Sequence, residues 1–411
     1  MLAKGSWQRN LVVLWIGQTM IMVAFSFFFP FIPLYVQTLG MTDTTQAAEW
    51  AGFISAGSSI SMAIAQPIWG NLADRWGRKP MVVRSMLSGG LLTGLMGLAA
   101  SPQQLLVLRF IQGGLTGTIA ASNALVASQT PKHRLGFALG FMQVGYFVGT
   151  SVGPLLGGLM ADAFGYRFAF YASGVTMTLA GLLVIFFVNE DFTPPPVDVQ
   201  RPSIWQESRN LLAIAIFPIL AGVVFMIQLG GVVVSPVLSL FVVELHGSGS
   251  PATAAGVIMG LTGAVSAVSA LALGRYSDRI GPTVILSICL AGAALSYVPQ
   301  AFVTSFFQLL ALRMLTGAFL GGLMPSANAL LARVTPAQHR GAAFGLSATA
   351  SSLANFVGPL GGALVATQYG IRSVFLVTGG LFSLAFLWVG YGFRRQGVVL
   401  APRQLDPKRN A

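Results

Sequence analysis

A pattern some sixty residues long is written twice in this chain. Around Arg109 the sequence reads LRFIQGG, then NALVASQTPKHRLGFALG, VGPLLGG and FGYR; around Arg313 it reads LRMLTGA, then NALLARVTPAQHRGAAFG, VGPLGG and YGIR. The spacing barely drifts: 204 residues from Arg109 to Arg313 (313 − 109), 205 from Gly153 to Gly358 (358 − 153) and 205 from Arg167 to Arg372 (372 − 167). A period near two hundred residues is too long for a solenoid unit and implies two half-proteins arranged about a shared cavity.

What surrounds those halves follows from their chemistry. Of 411 residues, 55% are hydrophobic and 8% charged, whereas a water-facing domain needs about 25% charged residues to cover its exterior. The exterior must therefore face hydrocarbon, and a spanning helix needs about 20 apolar residues. Twelve stretches qualify. The first six are Leu11 to Val36, Trp50 to Leu72, Met81 to Ala100, Gln103 to Ser128, Gly136 to Ala161 and Phe168 to Phe187. The second six are Leu211 to Phe241, Ala254 to Leu273, Val284 to Val303, Phe306 to Val334, Gly341 to Ala366 and Ser373 to Phe393. The expected organisation is a six-helix bundle over residues 1–188, a Pro-rich linker over 189–210, a second bundle over 211–393 and a basic tail over 394–411. The first apolar run is too long for a signal-peptide core and is read as a retained span.

The net charge of +12 is read as topology. With the amino end placed inside, nineteen of the 23 Lys and Arg fall in inner segments and only Arg167 and Arg372 outside, which predicts both termini in the cytoplasm. Six helices per half is even, so the two repeats enter the membrane in the same sense. No basic run is interleaved with aromatics, so nucleic acid is not an expected partner. The single cysteine, Cys289, forms no disulfide within the chain, and His133, His246 and His339 build no cluster for a metal or for catalysis. Neither a metal, a cofactor nor an enzyme is expected, and the chain is expected to be a monomer.

Two cations remain (23 − 19 − 2 = 2): Arg109 and Arg313, repeat equivalents deep in the fourth and tenth spans. An ionisable group there costs about 3 kcal/mol on insertion scales and normally faces the bundle interior with a partner. Gln112, Thr116 and Asn123 follow Arg109 at helical spacing, so Arg109 is expected either to contact substrate or to tune a proton-carrying group, with Arg313 as its counterpart; structural capping of backbone carbonyls is the alternative. On the first span Gln18, Met22, Phe25 and Phe29 share a face, on the fifth Gln143, Tyr146, Thr150 and Pro154, on the seventh Gln228, Ser235 and Ser239, with Asn355 in the eleventh. Amides, rings and methionines suit a pliable pocket for bulky, partly apolar compounds. None of the eleven acidic residues lies deep in a span. That favours neutral, zwitterionic or anionic amphiphiles as cargo and leaves Asp162 and Glu244 as candidate proton acceptors.

The loop GNLADRWGRKP resembles the signature of the major facilitator superfamily at Gly70, Asp74, Arg75, Gly77, Arg78 and Lys79, with a partial second copy retaining Asp278 and Arg279. Its glycines are expected to give a tight turn and close helix approach, and Asp74 to hold a cation or helix terminus as a gate. The fifth-span run GTSVGPLLGG, with Gly149, Gly153, Pro154, Gly157 and Gly158, is similar to the antiporter motif of that superfamily's drug:proton antiporters. Small residues let helices approach, and proline makes the helix pliable. The stretches FFFPFIPLYVQTLG and NALVASQTP extend the likeness over the whole chain. The resemblance implies a twelve-helix, all-α exporter of lipophilic small molecules in a bacterial inner membrane. It would work by exchange with protons, with substrate near mid-membrane on the first, fourth, seventh and tenth spans. Two readings stay open beside it: a proton-coupled or facilitative carrier of a specific metabolite or lipid and, more remotely, a membrane enzyme or receptor.

Overall fold

The computed structural model describes residues 7–131, 134–190, 192, 216–246, 250–335 and 340–395. Its regular structure is helical: α1 (Trp7–Phe28), α2 (Ile32–Thr38), α3 (Thr44–Trp76), α4 (Arg78–Met96), α5 (Pro102–Leu115), α6 (Thr118–Gln129), α7 (Leu135–Phe164) and α8 (Tyr166–Phe187). There follow α9 (Ile216–Val233), α10 (Ser235–His246), α11 (Pro251–Ile280), α12 (Pro282–Tyr297), α13 (Phe306–Val334), α14 (Arg340–Tyr369) and α15 (Ile371–Arg395). Among the described residues, nine helical stretches are long and apolar enough to cross a membrane. The three long helices outside that count, α3, α4 and α14, carry more serine, amide and charged residues along their length.

Several apolar runs bend or break where the local chemistry demands it. The first interrupts α-geometry at Phe29–Phe31, a 3-10 turn containing Pro30, because proline offers no N–H to the ladder. The fourth stops at Thr116, which is extended, and restarts after Gly117 at φ +133°, a value that favours glycine. Read from sequence as one helix, that span is two, and Thr116 and Asn123 do not continue the face of Arg109. The tenth span, α13, runs unbroken through Pro325.

Four devices recur at the repeat spacing and explain why those letters are duplicated. Ser101 accepts the Gln104 N–H at 3.3 Å while Gln104 accepts the Ala100 N–H at 2.9 Å. Ser305 and Gln308 repeat the arrangement at 3.4 and 3.0 Å. These are reciprocal capping boxes that start α5 and α13. Gly77 and Gly281, at φ +95° and +105°, turn the chain between consecutive helices, and so do Gly165 and Gly370 at +85° and +84°. Two residues after the latter pair, Arg167 donates to the Ala99 carbonyl at 3.4 Å, and Arg372 to those of Ala301 and Val303 at 3.2 and 2.9 Å. Each satisfies carbonyls released just beyond a helix end.

The chain clusters into two compact units. One comprises Met1–Val199, Ser235–Gly263 and Pro359–Gln368; the other comprises Gln200–Val234, Ala264–Gly358 and Tyr369–Ala411. In the first, Phe170 packs against Phe28 and Tyr35 with ring centroids 4.9 and 4.7 Å apart. In the second, Tyr297 stacks on Phe382 at 5.5 Å. The expected linker begins inside the first unit: the Asn189 carbonyl accepts from Asn10 at 2.7 Å and Gln129 at 2.9 Å.

Glu190 is the structural residue that the sequence did not announce. Its two carboxylate oxygens accept the N–H groups of Arg78 and Lys79 at 2.9 and 2.7 Å, at the start of α4. An anion is well placed at that positive helix end. A side chain at Gly77 would meet the same carboxylate at 2.9 Å. Glu190→Ala should therefore cost about 1–2 kcal/mol, seen as a lower thermal midpoint of the detergent-purified protein, whereas Glu190→Asp should recover part of the loss.

Candidate substrate and coupling site

Arg109, on α5, is 3% exposed. Its Nη1 donates to Gln112 Oε1 at 2.6 Å, and Gln112 Nε2 passes the chain to Thr93 Oγ1 at 2.7 Å and the Gly89 carbonyl at 3.3 Å. Three phenyl rings from the first span surround the guanidinium, with centroids 5.5 Å (Phe25), 5.6 Å (Phe28) and 5.5 Å (Phe29) from Cζ. Cation–π attraction at such distances grows as water is removed. Among the described residues Arg109 has no carboxylate partner, and its Nε has no acceptor. The charge is held by one amide and three aromatic faces.

The second unit carries a permuted version. Arg313, 8% exposed, donates to the Tyr297 hydroxyl at 3.4 Å and lies 5.9 Å from that ring. Tyr297 is the repeat equivalent of Thr93 (297 − 93 = 204) and Thr316 that of Gln112 (316 − 112 = 204). No amide is bonded to this guanidinium among the described residues; the nearby amide of Gln300 donates instead to Thr316 at 2.8 Å. Thr93 escaped the sequence reading; the repeat spacing from Tyr297 is the signal that would have found it.

Helix α7 is held closely on two sides. A methyl group built at Gly149 would overlap Met22, at Gly153 Ser26, and at Gly157 the backbone of Phe27, so the motif glycines seat α7 on α1. On its other side Gly158 meets the Ala252 backbone, while Gly256 lies against the Pro154 carbonyl and Gly260 against that of Ser151. The repeat has its counterpart: Gly52 of α3 lies against the Pro359 carbonyl and Ala363 of α14. Beside the α7–α11 contact, Asp162 accepts the N–H groups of Ala252 and Thr253 at 3.2 and 2.7 Å. Expected as a proton acceptor, this carboxylate caps α11. By contrast α3 is capped by its own Asp43, which accepts the Thr45 N–H at 2.8 Å.

The remaining expected residues are dispersed. Gln18 is buried and donates to the Met142 carbonyl at 3.1 Å, leaving Oε1 without a partner. Met22 is buried against Gly149, and Phe25 stacks on Phe29 at 4.9 Å. Asn123 Oδ1 is buried with no partner on α6. Tyr146 is half-buried beside Phe147, whereas Gln143 is exposed. Gln228, Ser235 and Asn355 are half-buried, and Glu244 is exposed on α10.

In the loop signature Gly77 makes the turn, but Gly70 lies inside α3 with open space where its Cβ would be. The expected turn or close approach at Gly70 is therefore not made. Arg75 and Arg279 are exposed, Arg78 is half-buried, and Lys79 donates to the Ile185 carbonyl at 2.9 Å. The side chains of Asp74 and Asp278 lie outside what the structure describes. Arg84, one of the cations counted on the inner side, sits within α4 over the Trp69 ring at 3.4 Å.

Removing the amide beside the buried cation should be costly. Gln112→Leu should lower stability by about 2 kcal/mol, against no more than about 0.5 kcal/mol for Gln143→Leu on the exposed face of α7, both read from thermal unfolding in one detergent.

Comparison with known proteins accords with this arrangement. The Major Facilitator Superfamily model matches residues 14–299 and 220–409. The chain is 37% identical over 407 residues to "Multidrug resistance protein MdtG" of Enterobacter lignolyticus, covering 98% of this chain and 96% of the relative. It is 38% identical over 399 residues to the protein of that name from Salmonella newport, covering 96% and 98%. Among solved structures, a bacterial homolog of the human lysosomal transporter Spinster superposes with TM-score 0.78 at 16% identity, covering 96% of this chain and 98% of that one. A D-xylose-proton symporter gives 0.76 at 16% identity, covering 92% and 96%. A family model spanning nearly every residue, with relatives matched end to end, leaves one assignment: the chain belongs to the Major Facilitator Superfamily.

Proposed function

We propose that this protein exports lipophilic or amphiphilic small molecules across a bacterial inner membrane in exchange for protons, by alternating access. In this reading twelve helical crossings form two parallel repeats, with both termini in the cytoplasm. The observation that carries it is the packing of α7: the antiporter-type glycines seat one face on α1, and the opposite face meets α11 backbone to backbone. Such contacts are close enough to seal and, lacking interlocked side chains, cheap to part. Relatedness to multidrug resistance proteins over nearly the full length supports the same conclusion. It also favours export over carriage of a single metabolite.

The cargo reading follows from Arg109. A cation held by rings and an amide, with no carboxylate among the described residues competing for it, suits neutral or anionic amphiphiles. Arg109, Gln112, Phe25 and Phe29 form the central contact set. In the first unit Gln18, Met22, Asn123, Gln143, Tyr146 and Ser235 are further substrate-contact candidates and Glu244 a coupling candidate; in the second unit Gln228 and Asn355 are contact candidates and Arg313 a coupling candidate. Asp162 takes a different part, as a latch that fastens α7 to the start of α11 on the outer face.

In inverted vesicles carrying an imposed pH gradient, a fluorescent amphiphile should accumulate in exchange for protons. Arg109→Ala should reduce that exchange at least about tenfold, an effect equivalent to about 1.4 kcal/mol, with Arg109→Lys intermediate. Normal exchange in Arg109→Ala would remove the guanidinium from the mechanism. For the latch, a cysteine introduced at Ala252 should react faster with a membrane-impermeant maleimide when Asp162→Asn is added. Equal rates would leave Asp162 as an ordinary helix cap.

A further inference from the structure

Arg84 is a cation whose setting the transport reading does not use. It lies six residues into α4, about 9 Å along the helix from Arg78 at 1.5 Å per residue. Its guanidinium stacks on Trp69 of α3, with Cζ 3.4 Å from the ring. Nε and Nη1 are buried without partners, and among the described residues the group makes no hydrogen bond or ion pair. Three N–H donors, one on Nε and two on Nη1, are thus buried with no acceptor, a costly state for a charge.

The neighbouring polar groups are already satisfied. Trp69 Nε1 donates to the Gly114 carbonyl at 2.7 Å and Ser88 Oγ to the Leu115 carbonyl at 3.2 Å. Both relieve the free carbonyls where α5 stops, so the break has its own donors and does not call on Arg84. The surroundings are apolar and open. Leu91, on the same face of α4 at i+7, is 65% exposed; Ile68 of α3 and Ile111 of α5 are exposed as well. In a chain built to face hydrocarbon, exposed apolar side chains such as these meet acyl chains. The repeat equivalents of Arg84 and Trp69 are Ile288 (84 + 204) and Leu273 (69 + 204), so the pair is particular to the first half and is not required by the fold.

We propose that Arg84, braced on Trp69, binds the phosphodiester of an anionic membrane lipid whose acyl chains lie against the exposed side chains of Ile68, Leu91 and Ile111. A phosphate supplies acceptors that match the guanidinium fork. Arg84 lies less than two helical turns from the cationic Arg75–Lys79 end, within the distance over which a long cationic side chain can reach out to a headgroup. This rests on the chain being embedded in a bilayer, as the functional reading holds, but not on the cargo or on proton exchange.

The test is lipid retention by the full chain, purified from membranes in mild detergent and re-supplied with phosphatidylglycerol or phosphatidylcholine before native mass spectrometry. The wild type should keep phosphatidylglycerol in preference to phosphatidylcholine. Arg84→Gln should lower that retention about tenfold, and Arg84→Lys should fall between, since an ammonium lacks the bidentate fork. Arg333→Gln, which removes an exposed cation at the end of α13, should leave it unchanged. Should Arg84→Gln fail to fold, the drop from wild type to Arg84→Lys carries the test alone. Equal retention in wild type, Arg84→Gln and Arg84→Lys overturns the proposal. So does an equal fall in Arg333→Gln, which would make the effect one of net charge. Inorganic phosphate displacing the lipid as well as added phosphatidylglycerol does would overturn it too, by reassigning the site to a free anion. Drug exchange that persists while retention is lost separates this proposal from the functional one.

Discussion

In hydrocarbon no water stands ready for a stray N–H or C=O, so every interruption of a spanning helix must bring its own partners. This condition orders much of what the structure shows. Where α5 gives way to α6, the released carbonyls of Gly114 and Leu115 are met by Trp69 and Ser88. Beyond α4 and α12, Arg167 and Arg372 do the same. The side chains that look like isolated polar intrusions in an apolar sequence are in good part the complements of broken backbone. Among the described residues that accounting is left open at Arg109, Gln18 and Asn123, among others.

Duplication kept the cation and exchanged its company. Arg109 and Arg313 occupy the same position in the repeat, but the amide that serves the first comes from its own helix, whereas in the second half the nearby amide of Gln300 donates to Thr316 instead. Phenyl rings border the first guanidinium and a tyrosine the second. The two settings have therefore diverged in their contacts while preserving a buried positive charge in each unit.

Much of the architecture was readable from letters alone because the bilayer punishes exceptions. Apolar runs, the repeat spacing and the glycine–proline signature of α7 each correspond to an element or a contact, since Gly149, Gly153 and Gly157 have no alternative to lying on α1. What stayed hidden depends on distances between segments remote in sequence. Nothing local to Asn189 or Glu190 says that one joins Asn10 and Gln129 while the other caps α4. The break at Thr116–Gly117 was missed because apolar periodicity continues through it, and the conformation of one glycine decides the matter. Gly70 erred the other way, its place in a familiar signature suggesting a turn that the helix does not make. Arg84 is counted with the inner cations from sequence because basic residues cluster just before it, and only the structure shows its stack on Trp69.

The two ends that meet through proline carbonyls are alike in backbone and unlike in fastening. Helix α3 ties off its own first turn through Asp43, whereas α11 borrows Asp162 from α7. Separating α3 from α14 leaves α3 complete. Separating α7 from α11 strips two amides of their acceptor at a stroke and requires solvent to reach them. The two helix starts are thus unequally provided for: one carries its acceptor within its own sequence, and the other is complete only while its neighbour stays in place.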